Sequence, residues 1–166
     1  MAATLPLATR TAWLEAPAVQ FWLLQLAGWS GWAVAGSIGW IYWKPETPYV
    51  QVYTLAAAFG VAISTLLRQL YRRIWAWPIE RRAALALFAS YVSGAIWQLA
   101  KNLIVHSYLP DNDVERMGWL GYFEGVTGSF YIMVTWSGLY FGIKWYQMLQ
   151  AESAKVLRIT AMAHQA

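Results

Sequence analysis

Charged residues divide this chain into four long stretches in which almost every position is apolar, aromatic or small. Residues 16–43 and 47–67 carry no charge, residues 83–109 carry only Lys101, and residues 117–143 carry only Glu124. A helix needs about 20 apolar residues to cross bilayer hydrocarbon, so the pattern predicts four transmembrane helices. Turn chemistry falls between them. Pro45 and Pro48 bracket a tight turn that cannot continue a helix, Pro78 suits the first turn of the third helix, and Pro110-Asp111-Asn112-Asp113 is a turn signal before the fourth. Connections this short make consecutive helices antiparallel neighbours. The predicted fold class is therefore an all-α integral membrane protein, a four-helix transmembrane bundle.

Composition supports this class. Of 166 residues, 59% are hydrophobic and only 12% are charged, about half the charged share of a soluble domain. Twelve Trp, ten Tyr and six Phe are too many for a soluble core of this size, whereas a bilayer has two interfaces where amphipathic rings settle. No large soluble catalytic domain fits. Cysteine is absent, which excludes disulfides and thiolate metal sites. A secretory signal peptide, suggested by Ala33-Val34-Ala35, is set aside because the apolar run continues through Trp40 and Trp43.

Charge distribution gives the expected orientation. Arg68, Arg72, Arg73, Arg81 and Arg82 lie between the second and third stretches, and Lys144, Lys155 and Arg158 follow the fourth. Basic loops stay in the cytoplasm, so both termini are expected inside, with Arg10. That side then holds nine basic and three acidic residues, against three basic and five acidic outside. The expected localisation is multi-pass, with membrane lipid as one partner.

Small residues recur every four positions at Ala27, Gly31, Ala35 and Gly39, at Ala56, Gly60 and Ser64, and at Gly121, Gly125 and Ser129. Such stripes let helix backbones approach closely in lipid. Packing within the chain and a homodimer seam both fit them.

Motifs for chemistry are missing. The chain has no GxxxxGK[ST], HExxH, CxxC or GxSxG, so no catalytic residue is assigned; a membrane enzyme stays a third possibility without candidate groups, and whether the chain is an enzyme is left open. His106 near Asp111, Asp113 and Met117 is better read as an interfacial histidine than as a metal ligand, and His164 as a solvated helix residue. We expect no metal, cofactor or nucleic-acid partner. Trp97, Gln98, Asn102, Tyr122 and Phe123 combine aromatic walls with a few polar groups, the composition of a ligand pocket. Bundle packing with interfacial aromatics fits them equally. Lys101 and Glu124 fall at similar offsets from the facing ends of the third and fourth helices, so they are expected to form an intramembrane ion pair; snorkelling interfacial residues are the alternative.

From Ile143 to Ala166 the sequence has no Gly or Pro and favours helix. Leu149, Val156 and Ala163 mark one heptad position, and Trp145, Glu152 and Ile159 the other, a short coiled-coil seam for a dimer. The domain boundary is accordingly expected at 144, with a membrane domain over 1–144 and a cytoplasmic signalling helix over 145–166.

Three patches resemble a known family. Phe21-Trp22-Leu23-Leu24-Gln25-Leu26 with Gly28-Trp29, Leu66-Leu67-Arg68 with Leu70-Tyr71-Arg72-Arg73 and Trp75, and Trp136-Ser137-Gly138-Leu139-Tyr140-Phe141-Gly142-Ile143-Lys144 are similar to the membrane regions of LytS/AlgZ-like bacterial sensor histidine kinases. Members of that family continue into an Asn-Pro-His-Phe box with the phosphoacceptor histidine and then an ATP-binding domain. Neither lies within these residues, so kinase activity is not carried over. A truncated kinase and a stand-alone homologue both remain open. The resemblance implies a homodimeric sensory module of a two-component system in a bacterial inner membrane, reaching a response regulator only through an absent kinase region. A small four-helix transporter or exporter is the alternative, although small multidrug exporters carry an acid in the first helix and this chain has none there.

Overall fold

The computed structural model of the chain describes residues 17–43, 48–109 and 113–163. The connections expected at 44–47 and 110–112, and His164, lie outside them. Four α-helices follow in order: α1 (Pro17–Trp43), α2 (Tyr49–Arg73), α3 (Ile79–Tyr108) and α4 (Val126–Ala163), with a 3₁₀ segment at Asp113–Phe123 before α4. Among the described residues there is no strand.

The prolines set two helix starts. Pro48 accepts a hydrogen bond from the Val52 amide at 3.1 Å, and Pro78 accepts one from the Arg82 amide at 3.0 Å, so each lies just ahead of its helix. α2 runs six residues past its uncharged stretch, to Arg73. Arginines propagate helix well, and Arg72 and Arg73 meet the negative end of the helix dipole.

The fourth helix departs from expectation at its start. Gly118 has φ 60° and ψ −152°, and Gly125 has φ 84°. These left-handed values suit glycine, which has no Cβ to clash, and they break residues 117–125 out of the α-helix. Hydropathy was continuous there, but backbone conformation was not. Beyond Val126 the helix is unbroken for 38 residues, and the segment expected to be a signalling helix simply continues it to Ala163.

The chain forms two compact units. One comprises Met1–Ile63 with Leu99–Glu124, the other Ser64–Gln98 with Gly125–Ala166. In the first, α1 meets α2 through aromatic rings seated on glycines: Trp29 lies against Gly60 and Tyr53 against Gly36, where a Cβ would overlap each ring. Trp40 Nε1 donates to the Tyr53 hydroxyl at 3.1 Å and its ring stacks on Tyr49 at 4.8 Å. The stripe Ala27, Gly31, Ala35, Gly39 is exposed, and a Cβ at Gly31 or Gly39 would meet nothing within 4 Å. Packing within the chain is thus overturned for that stripe, because α1 packs through its Phe21, Gln25, Trp29 and Ser37 face. Ala56, Gly60 and Ser64 are buried as packing requires, while Gly121, Gly125 and Ser129 share no helix face since α4 begins between them.

In the second unit α3 and α4 approach at Gly94, where a Cβ would lie 2.9 Å from the Phe130 backbone nitrogen. Met133 on α4 is wholly buried.

Beside an apolar core that includes Val52, Trp97 and Met133, several polar side chains are buried while many large apolar ones are exposed. Gln25, Ser37, Ser64, Ser90, Gln98, Asn102, Ser129 and Ser137 are buried, whereas Leu26, Ile38, Phe88 and Tyr131 are each more than 60% exposed. Apolar surroundings favour this arrangement, since polar groups there must find partners inside. α2 and α3 are long and apolar enough to cross a membrane, and only a third of their apolar windows is buried within the chain.

Candidate functional site

The residues singled out on the sequence divide between the two units. In the first, Asn102 sits on α3 and its Nδ2 donates to the carbonyls of Tyr122 at 2.9 Å and Glu124 at 3.1 Å. One side chain therefore ties down the chain end of the 3₁₀ segment, whose glycine turn leaves carbonyls outside any helical ladder. Tyr122 and Phe123 are half-buried. The His106 ring packs edge-on to Tyr122 at 6.1 Å, and Phe123 packs edge-on to Trp119 at 6.5 Å. Lys101 is half-buried and feels the Glu124 charge. Glu124 itself is exposed in the turn before α4, not within the fourth helix as expected.

Trp97 and Gln98 belong to the second unit and are almost wholly buried. Gln98 Oε1 accepts a hydrogen bond from Ser129 Oγ, and its amide lies against Gly125, where a Cβ would come within 3.1 Å of Nε2. The glycine that ends the turn thus also makes room for the glutamine. The seam residues Leu149, Val156, Ile159 and Ala163 are all exposed on α4.

Two features of the second unit escaped the sequence reading. The first is a buried knot of three hydroxyls from three helices. Tyr71 of α2 lies 2.7 Å from Ser137 of α4, and Ser90 of α3 lies 3.0 Å from Ser137. Ser137 donates to the Met133 carbonyl at 2.7 Å, which leaves its lone pairs to accept from Tyr71 and Ser90. The available signal was hydroxyl side chains within otherwise apolar helices, since a buried hydroxyl needs a partner.

The second is a cationic clamp on Trp75, in the turn between α2 and α3. Lys144 Nζ lies 3.8 Å from the Trp75 ring centroid and Arg82 Cζ 4.6 Å from it, while Arg82 Nη1 donates to the Trp75 carbonyl at 2.9 Å. Phe141 stacks near the same ring at 6.1 Å. Burial and the charges of Arg72 and Arg82 hold the Lys144 pKa below its ordinary value. The basic residues assigned on sequence to one side of the membrane therefore converge, from the α2–α3 turn and from α4. Together the knot and the clamp fix α4 to its neighbours at two depths, ahead of its exposed continuation.

No family model matches the chain, and searches of curated proteins and of solved structures return no match.

Proposed function

We propose that this chain is the membrane-embedded sensory and dimerisation module of a sensor histidine kinase, spanning a bacterial inner membrane four times and passing a signal to a cytoplasmic kinase region that the chain does not contain. The observation that carries the reading is α4. Its 38 residues extend about 57 Å at the standard rise, against a hydrocarbon core of about 30 Å. The helix is held by Tyr71 at Ser137 and by the Trp75 clamp at Lys144, and residues 148–163 are exposed on every face. A rigid rod anchored in a bundle and protruding from it is what a transmitter of membrane events requires.

Other features support the topology. α1 spans 27 residues without a charge, and its five tryptophans lower its mean hydropathy while suiting membrane interfaces. The cluster of Arg72, Arg82 and Lys144 agrees with a cytoplasmic end at the α2–α3 turn. Glu124, outside the α-helices, is a poor coupling acid for an exporter.

The coding sequence beyond Ala166 provides the test. An in-frame Asn-Pro-His-Phe box followed by an ATP-binding domain sustains the sensor reading. A stop codon there, together with substrate flux in proteoliposomes that Glu124→Gln abolishes, sustains the exporter instead.

A further inference from the structure

The second unit contains a groove of about 520 Å³ running along α3 and α4, within the roughly 300–1,000 Å³ range of small-ligand sites. One end is cationic, with Arg82 and Lys144 poised over Trp75. The remainder is apolar, lined by Ala83, Leu87 and Val134, with the Gly138 and Gly142 backbone as its floor. Its lining extends from Ile79 to Ser90 on α3, on the order of 16 Å of helix. The hydroxyls of Ser90 and Ser137 at its inner end are engaged in the knot with Tyr71, so that end offers a ligand little beyond apolar contact.

Two observations specify the occupant. The groove is open where glycines line it, because a Cβ at Gly138 or Gly142 would meet nothing within 4 Å. Arg82 Cζ and Lys144 Nζ lie 4.6 Å and 3.8 Å from the same Trp75 ring centroid, so two positive charges share one end of the groove. Arg82 and Trp75 line this end of the groove and Lys144 lies on the Trp75 ring; two cations beside an apolar channel repel one another until an anion joins them, and the complementary molecule is a long amphipathic anion.

We propose that this groove binds one anionic phospholipid, its phosphate held by Arg82 and Lys144 with Arg72 adding to the field, and one acyl chain lying over Gly138 and Gly142. The inference rests on the membrane location of the chain and not on the sensory reading. Bound there, the lipid bridges the α2–α3 turn and α4 at the point where α4 leaves the unit.

Membrane fractionation of cells expressing the full chain comes first, and recovery only in the soluble fraction overturns the membrane location itself. The full chain purified in detergent is then mixed with limiting, equimolar phosphatidylglycerol and phosphatidylcholine, and adducts are counted by native mass spectrometry. A single preferred phosphatidylglycerol adduct is expected. Arg82→Gln with Lys144→Gln lowers its occupancy roughly 10- to 30-fold, as loss of two cations near an anionic headgroup implies. Gly138→Leu with Gly142→Leu, substitutions into open space, removes the adduct while the melting temperature stays that of the parent. Equal adducts of both lipids overturn the proposal. So does a phosphatidylglycerol adduct that survives the leucine pair, which marks surface charge alone, or one displaced by inorganic phosphate at matched concentration, which marks a phosphate site without an acyl chain.

Discussion

The Tyr71 hydroxyl lies 2.7 Å from the Ser137 hydroxyl, joining residues 66 positions apart. Neither side chain has a charge, and both are buried. In an apolar environment such a pair holds two helices in one register, because sliding either helix strands a hydroxyl. Tyr71→Phe and Ser137→Ala should each cost about 1 kcal/mol, with a coupling between them on the order of 0.5–1.5 kcal/mol. Unfolding of the single and double variants in mixed micelles measures this. Strict additivity contradicts the pairing.

Gly94 and Gly128 make a matched contrast. A Cβ at Gly94 would press on the α4 backbone at Phe130, while one at Gly128 would meet nothing within 4 Å. Gly94→Ala should therefore lose about 1–3 kcal/mol by forcing the helices apart. Gly128→Ala should be neutral, or stabilising by up to about 1 kcal/mol from helix propensity. Thermal melts in detergent separate the two outcomes.

Asn102→Leu keeps the branched side-chain shape, though with bulkier methyl groups, and removes the donor to the Tyr122 and Glu124 carbonyls. Losing that cap should cost about 1–3 kcal/mol. Hydrogen exchange should rise locally over residues 119–125. Protection unchanged there would contradict the capping role.

Lys101 and Glu124 interact electrostatically across the α3 end and the turn before α4. With Glu124 exposed, Glu124→Gln should cost only about 1 kcal/mol. Lys101→Met combined with Glu124→Gln should recover most of that loss, since no half-buried ammonium is then left without its partner charge. A double variant as unstable as the sum of the singles contradicts the pair.

The helices were legible because long uncharged runs bounded by charges and prolines coincide with them. The run at 16–43 became α1 at Pro17–Trp43, and the one at 83–109 became α3 at Ile79–Tyr108. Prolines 48 and 78 fixed two starts because a missing amide is harmless only there. The start of α4 was not legible, since Gly125 read as a small packing residue, Gly118 was not singled out, and nothing in hydropathy reports a positive φ. Among site residues, Asn102 was recognised as important, but its role as a cap for Tyr122 and Glu124 depends on that unseen turn. The Tyr71–Ser90–Ser137 knot was missed because its members are distant in sequence and each is unremarkable alone. Trp75 stood out on sequence within a family-like patch but not as a cation site, because its contact with Lys144 requires the turn and α4 to meet.

The proposed function requires α4 to continue into a symmetric two-helix transmitter. The chain has no cysteine, so single cysteines placed in turn along residues 145–163 of the membrane-embedded protein report pairing directly through disulfide crosslinking. Strong same-position adducts at Leu149, Val156, Ile159 and Ala163, with weak ones at Gln150 and Arg158, are the predicted result. Crosslinking of equal strength around the whole helix, or none at any position, would contradict the account.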